Sequence, residues 1–323
     1  MPAADVRPVV LITGGNSGIG LECARRLARE PLALVIASRD RERSARAVEE
    51  LRRETGNPAL EEMGLDLGSL GDVRCFAAAL RERHPRLHGL VLNAGVQFQR
   101  GPLRSADGFE LTFAVNHLGH FLLTHLLLEP LLAGAPARIM VVSSGVHDPS
   151  LTTGMPDPWI PDLEAAARDG APPGQPFSGP RAYVNSKLCN LWFAYELVRR
   201  IEAAGLERPG RPLSVNAFEP GLVPGTGLAR DYPAPLRLVW RRVLPLLARF
   251  VSMVNRPERS GAALGELLLD PALAAVSGKY LPSHTRFREA PSSDESYDEA
   301  RARELWELSV RLCGLTPGES PLV

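Results

Sequence analysis

The stretch "LITGGNSGIGLECARRLA", Leu11–Ala28, decides the fold. A β-type apolar run ends at Gly14, and a helix-period segment begins near Ser17, with Gly18 and Gly20 at its start. The three glycines make a GxxxGxG turn whose missing side chains let the backbone approach a bulky anion such as a pyrophosphate. The anion's charge would rest on the free N–H groups and positive end of the following helix. The spacing differs from the common GxGxxG fingerprint, so a plain tight turn between strand and helix stands beside this reading.

Working outward, short apolar runs recur at residues 9–13, 32–38, 61–67, 89–95, 137–144, 213–221 and 278–283, nearly all separated by helix-period segments. Strands apolar on both faces and alternating with helices predict an α/β fold, a doubly wound parallel sheet of about seven strands in one domain over residues 1–323. Two segments break the rhythm. Residues 146–181 are rich in Pro, Gly, Asp and Ala, and residues 222–255 carry four prolines. Loops of this length in a compact domain are usually functional, and both are assigned to the substrate side, with Met155, Trp159, Ile160 and Phe177 as apolar residues of a lid. In the tail, residues 284–323, "SSDESYDEARARELWELSVRLCGL" reads as a capped helix that covers the sheet edge or the cleft.

Lys plus Arg and Asp plus Glu number 37 each, so no overall field favours nucleic acid or an anionic membrane, and an anion must be met locally. Cys23, Cys75, Cys189 and Cys313 are scattered without ligand-like spacing, which argues against a disulfide framework or a zinc site and fits a reducing, cytoplasmic setting. "MPAADVRP" has no apolar signal core, and the apolar stretch 236–254 is interrupted by Arg237, Arg241, Arg242, Pro245 and Arg249, so neither reads as a membrane span.

At the end of the second strand, where NAD enzymes place an acid for the ribose 2′-hydroxyl, the sequence reads Ser38 and Arg39, with Arg43 one helical turn on. An acid repels a 2′-phosphate and an arginine grips one, so NADP(H) is expected. In "AYVNSKLCNLWFAYEL", Tyr183 and Lys187 stand four apart on one helix face. A nearby ammonium favours phenolate, which suits a tyrosine to exchange a proton with a carbonyl or alcohol oxygen. Ser143 and Ser144 end the fifth strand and Asn93, Ala94 and Gly95 the fourth, at the sheet edge where ligands bind in open α/β folds. Asn116 lies in the next helix, as do His117, His120 and His125, which read as packing or capping histidines, so no metal is expected.

In this order "TGGNSGIG", "LDL", "NAG", "NHLGHF", "SS", "YVNSK" and "PG" resemble the short-chain dehydrogenase/reductase superfamily over nearly the whole chain. The resemblance implies a Rossmann-type fold with Tyr183 as acid/base, Ser144 rather than Ser143 on the substrate oxygen, Lys187 on the nicotinamide ribose, and Asn116 supporting a water-linked proton relay. It brings Gly14, Asn16, Ser17, Gly18, Ile19 and Gly20 against the cofactor, with Asp66 and Leu67 at the adenine and Asn93, Ala94 and Gly95 along its floor. Pro220, Gly221, Leu222, Val223 and Thr226 would pass the nicotinamide. "ADGFELTFAVNHLGHFLLTHLL", "YVNSKLCN", "PGLVPGTGL" and "ARARELWELSVRLCGL" are similar to the branch holding retinol dehydrogenases and light-dependent protochlorophyllide reductases. The expected activity is reduction of a ketone or aldehyde, or the reverse, on a moderately large apolar small molecule, its size read from the two long loops. Reduction of an activated C=C bond and a non-catalytic NADP-binding regulator are the alternatives. Many relatives pair through helices corresponding to residues 106–133 and 182–204, which allows a homo-oligomer, while the insertion before Tyr183 stands in the way of that pairing and leaves a monomer open.

Overall fold

The computed structural model describes residues 7–206, 210–224, 255–285 and 288–323. Seven parallel strands form one sheet in the order β3-β2-β1-β4-β5-β6-β7. They are β1 Val9–Thr13, β2 Ala33–Ser38, β3 Leu60–Gly64, β4 Gly89–Leu92, β5 Ala137–Val142, β6 Leu213–Glu219 and β7 Tyr280–Pro282. The order reverses between β1 and β4, opening a crevice at their carboxyl ends where a doubly wound sheet takes its ligand.

Alternation along the strands divides the core. Val9 and Leu11 of β1 pack with Phe76 and Leu80 of α3 (Leu70–Arg83), Phe121 of α5 (Gly119–Leu126) and Leu188 and Leu191 of α8 (Gly179–Ala203). Val10 and Ile12 face the other way, onto Cys23 and Leu27 of α1 (Gly18–Leu27), Val48 and Leu51 of α2 (Arg41–Thr55) and Leu264 of α9 (Pro257–Leu269). The period of two in side-chain direction thus gives each β1 residue to one helix layer or the other. Helix α9 closes against α1 through Gly261 and Gly265, where any Cβ would run into the side chains and backbone of α1.

The sheet matches the sequence reading strand for strand, but β3, β4 and β5 stop two or three residues earlier. Asp66, Asn93 to Gly95 and Ser144 therefore lie beyond the strand ends at the carboxyl edge, while Ser143 N still donates to Phe218 O of β6 at 2.8 Å. At β4 the cause is visible: the N–H groups of Asn93 and Ala94 both donate to Thr13 Oγ1, at 3.0 Å each. The helix-period segment after residue 110 is likewise broken into α4 (Leu111–Phe113), a π-helical turn (Ala114–Leu118), α5 and α6 (Leu128–Gly134).

Two expectations need correcting. Residues 146–181 are not loop throughout, because α7 (Leu163–Asp169) forms within them, capped by Asp162 and ended by Gly170 in the left-handed conformation. Helix α7 is also tied to the body, since Glu110 N donates to Ala167 O and Glu164 pairs with Arg311. Of the apolar lid candidates, Ile160 is buried in the core, whereas Trp159 is exposed under the Arg181 guanidinium. The tail helix α10 (Glu299–Cys313) forms as read, capped by Asp298 and ended at Gly314, but it lies on α8 and α5 rather than along the sheet edge. Trp306 packs edge-on against Phe121, and His117 Nε2 meets Ser309 Oγ at 2.9 Å. Most of residues 222–255, including Thr226, lie outside the described residues.

Candidate active site

The glycine turn is a packing device before it is a binding one. Gly14 has φ +66° and Gly18 φ +53°, which suit glycine, and Ser17 stands as N-cap of α1 with its side chain making no cap bond. A Cβ on Gly20 would meet Asn93 Nδ2 at 2.5 Å and the Gly14 carbonyl closer still. Asn93 occupies that space because its amide donates to Thr13 O at 2.9 Å, locking the end of β4 to the end of β1. The N-terminus of α1 is left pointing into the crevice with its N–H groups unspoken for by a side-chain cap, the arrangement that receives a phosphate group.

Asn16 and Ser38 were expected at the cofactor, yet their side chains turn to each other. Asn16 Nδ2 donates to Ser38 Oγ at 2.6 Å and to Ser44 Oγ at 3.2 Å, and Ser38 Oγ meets Ser44 Oγ at 2.7 Å. This knot fixes the start of α2, where Asp40 Oδ1 accepts from Arg43 N at 3.0 Å. Arg39 and Arg43 project from it, both exposed, and neither guanidinium has a protein partner among the described residues. Arg41 beside them is paired with Glu62 at 3.0 Å. At the end of β3, Asp66 Oδ1 accepts from Gly68 N at 2.9 Å, and Leu67 is buried with its backbone against Gly119.

Asn116, fully buried in the π-helical turn, grips Val96 at both ends: Val96 N donates to its Oδ1 at 2.8 Å and its Nδ2 donates to Val96 O at 3.0 Å. Nδ2 also donates to Ser186 Oγ at 2.9 Å, and Ser186 Oγ to the Tyr183 carbonyl at 2.7 Å. The turn after β4 is thereby joined to the first turns of α8. Lys187 is buried, its Nζ donating to Val142 O at 3.0 Å and lying 5.6 Å from the centroid of the Tyr183 ring. A Cβ on Gly95 would stand 3.5 Å from Asn116 Oδ1 and 3.8 Å from Lys187 Nζ, so Asn116, Gly95, Tyr183 and Lys187 converge on one place. The two serines separate: Ser143 is buried with Oγ donating to Lys187 O at 2.8 Å, whereas Ser144 is half-buried and its hydroxyl has no protein partner among the described residues.

Burial sets the electrostatics here. Desolvation pulls the Lys187 ammonium down to about 8. It also lowers His120 to about 4 and His117 and His125 to about 3, so all three histidines are neutral near pH 7. They are structural, as read from the sequence, and His120 holds a post of its own. Its Nδ1 meets the Asn116 carbonyl at 3.2 Å and its Nε2 meets Thr13 Oγ1 at 2.9 Å. A carbonyl only accepts, so Nδ1 carries the proton and Thr13 donates to Nε2. Among the described residues no group of three His, Cys, Asp or Glu side chains is arranged to hold a metal ion.

Several residues of the site escape a sequence reading. Thr13 Oγ1 accepts from Asn93 N and Ala94 N and turns its own proton toward His120 Nε2 and Val91 O, and its only signal is a hydroxyl ending a strand before Gly14. Glu219 is buried between two turns, accepting from Gly221 N at 2.6 Å and from Gly145 N, and desolvation raises its carboxyl. Pro220 is buried, and its carbonyl accepts from Ser260 Oγ at 2.6 Å and Asn255 Nδ2 at 2.9 Å. Asn255 N also donates to Leu222 O at 2.8 Å, so the turn Pro220 to Val223 is fixed from both sides. Gly221 has φ +79°, and Leu222 points out to solvent while Val223 is buried. A cavity of about 260 Å³ inside the insertion, walled by Trp159, Ala166, Gln175 and Arg181, is not lined by Ser144, Tyr183 or Lys187.

A sequence profile of the family described as short chain dehydrogenase matches residues 8–153. Dehydrogenase/reductase SDR family member 13 of Bos taurus is 37% identical over 315 residues, covering 96% of this chain and 74% of the relative. Retinol dehydrogenase 13 of Homo sapiens is 38% identical over 315 residues, covering 97% and 86%. Among solved structures, a variant of actinorhodin polyketide ketoreductase with NADPH aligns with TM-score 0.62 at 26% identity, covering 87% of this chain and 97% of that one. The Pseudomonas aeruginosa RhlG/NADP complex shares the fold at TM-score 0.61 and 24% identity, covering 85% and 94%. With such identity running along nearly its whole length, the chain belongs to the short-chain dehydrogenase/reductase family, on the branch of the retinol dehydrogenases.

Proposed function

We propose that this oxidoreductase uses NADP(H) to reduce the carbonyl of a moderately large apolar substrate, or to oxidise the corresponding alcohol, with Tyr183 as the acid/base. The observation that carries the reading is the placement of a buried ammonium, Lys187 Nζ, 5.6 Å from the Tyr183 ring and next to Gly95 and Asn116. A buried positive charge stabilises the phenolate and so eases proton exchange at the Tyr183 hydroxyl.

The crevice suits a dinucleotide: the N-terminus of α1 carries no side-chain cap bond, and Arg39 and Arg43, without a protein partner among the described residues, stand at the end of β2. Gly14 to Gly20 would hold the pyrophosphate, Arg39 and Arg43 the 2′-phosphate, Asp66 and Leu67 the adenine side, and Asn93 to Gly95 and Pro220 to Val223 the nicotinamide half. When bound, the nicotinamide supplies or takes the hydride. The protein's part is to orient and to move the proton. Ser144 donates to the substrate oxygen, Tyr183 gives or takes its proton, Lys187 sustains the phenolate, and Asn116 holds the turn that brings Gly95 alongside. Leu151, whose Cδ1 comes within 3.4 Å of where a Gly145 Cβ would sit, puts apolar surface beside the Ser144 turn, which supports an apolar substrate. Relatives named retinol dehydrogenases support the same class.

The test is Tyr183→Phe, assayed by NADPH oxidation with all-trans-retinal and decanal. The variant is expected to keep NADPH binding and lose at least about a hundredfold in kcat, the scale of general acid–base catalysis. Wild-type turnover by the variant overturns Tyr183 as the acid. NADPH binding by the unaltered chain without turnover of either aldehyde favours a regulator.

A further inference from the structure

The turn at Ser144 is held by a group that the chemistry above does not use. His147 is 1% exposed, its Nδ1 meets the Ser144 carbonyl at 2.6 Å, and Ser293 N donates to its Nε2 at 3.1 Å. A carbonyl only accepts and a backbone N–H only donates, so both bonds form in one state alone: the neutral ring with its proton on Nδ1. Tyr280 packs edge-on against the ring at 5.3 Å and excludes water from it.

The far side of this bridge is anchored on α8. Tyr195 OH and Ser292 Oγ are 2.7 Å apart, Ser292 Oγ and Ser296 Oγ 2.6 Å apart, and Trp192 Nε1 donates to Glu295 O at 2.8 Å. The near side is anchored there too, because Ser143 Oγ donates to Lys187 O. Ser144 sits on a turn from β5 and Tyr183 on α8, yet both flanks of Ser144 are referenced to α8, and only its hydroxyl is left to the cleft. We propose that His147 is a positioning residue, which fixes the Ser144 carbonyl from Ser293 and so sets the aim of the Ser144 hydroxyl at the reacting oxygen relative to Tyr183. This rests on the reading of Ser144 as the donor to the substrate oxygen.

Two amides separate the two bonds. The end of an asparagine side chain reaches the place of Nδ1, so His147→Asn keeps the bond to Ser144 O and loses Ser293. His147→Gln reaches the place of Nε2, keeping Ser293 and losing Ser144 O. Each variant is assayed by NADPH oxidation with all-trans-retinal and decanal, beside NADPH affinity and thermal unfolding. His147→Asn is expected to hold kcat within about threefold, and His147→Gln to lose about tenfold or more at unchanged NADPH affinity, since small misplacements at a reacting centre are costly. Equal kcat in the two variants, or losses that follow only the unfolded fraction, overturn the proposal. Ser293→Pro keeps it testable if both fail to fold, because Ser293 already has φ −64°, which suits proline, and the N–H donor is removed together with a hydroxyl that has no hydrogen-bond partner among the described residues. There kcat is expected to fall while NADPH affinity holds, and an unchanged kcat overturns the bridge. Ser144→Ala separates the two levels: full activity in it refutes the reading of Ser144, whereas loss in it together with wild-type kcat in His147→Gln refutes the positioning role alone.

Discussion

Lys187 Nζ stands 5.6 Å from the centre of the Tyr183 ring, one helical turn away on α8, and donates to the carbonyl that ends β5, Val142 O, at 3.0 Å. The same carbonyl accepts from Asn190 Nδ2 at 3.2 Å, so the backbone group stays satisfied without the lysine. The ammonium is therefore a charge held in the core at a cost to stability.

Lys187→Met is accordingly expected to abolish most turnover while raising the melting temperature of the cofactor-free protein near pH 7. The sign follows from burial. The folded lysine releases its proton at about 8 and the unfolded one near the ordinary lysine value of 10.5, so the native chain regains stability as pH rises through that window. Melting curves of both proteins should converge above pH 8, and a variant less stable than wild type at pH 7 contradicts the account.

Arg39→Asp replaces attraction to a 2′-phosphate by repulsion at an exposed position with no protein partner to lose. NADPH affinity should drop at least about tenfold and NADH affinity should hold, on the scale of charge-assisted hydrogen bonds. Titration with both nucleotides decides it, and an equal loss for both removes the 2′-phosphate from this position.

Gly20→Ala puts a methyl group where Asn93 Nδ2 and the Gly14 carbonyl already touch, and neither has room to move without breaking the bond to Thr13 O. A loss of about 1–3 kcal/mol in stability is expected, as for overpacking, with a larger loss of dinucleotide binding. Chemical unfolding and nucleotide titration measure the two separately. A stable variant with intact binding shows that the close approach is not needed.

His117, His120 and His125 take up protons near 6.5 when unfolded but only at about 3 or 4 when folded, because burial disfavours the imidazolium. The unfolded state thus binds more protons between those values, and stability is complete above pH 6.5 and falls as pH drops toward 4. His125→Phe should flatten this acid limb by one proton while leaving the Ser320 hydroxyl without its 2.7 Å partner, at about 1 kcal/mol near pH 7. Unfolding free energy measured against pH gives the slope, and an unchanged slope shows His125 already protonated in the native state.

What the sequence determined by itself was the sheet, its handed alternation with helices and the residues at its carboxyl edge. Those are local matters: apolar runs bury on both faces, glycines permit a left-handed turn, and a spacing of four puts Tyr183 and Lys187 on one helix face. The unpaired arginines Arg39 and Arg43 were legible for the same reason, since the absence of an acid at the end of β2 needs no partner to be read. What only the tertiary structure decided is which polar side chains are engaged with the protein itself. Asn16 and Ser38, expected at the cofactor, are hydrogen-bonded to each other, Ser143 is bound to α8 while the Ser144 hydroxyl beside it has no partner among the described residues, and α7 and α10 are joined through Glu164 and Arg311. Thr13, His147, Glu219 and Asn255 gave no usable signal because each has a partner far along the chain, from 28 residues for Asn255 and Ser283 to 146 for His147 and Ser293. A hydrogen bond between side chain and distant backbone leaves no periodicity in sequence, and it is specified by the packing that brings the two segments together.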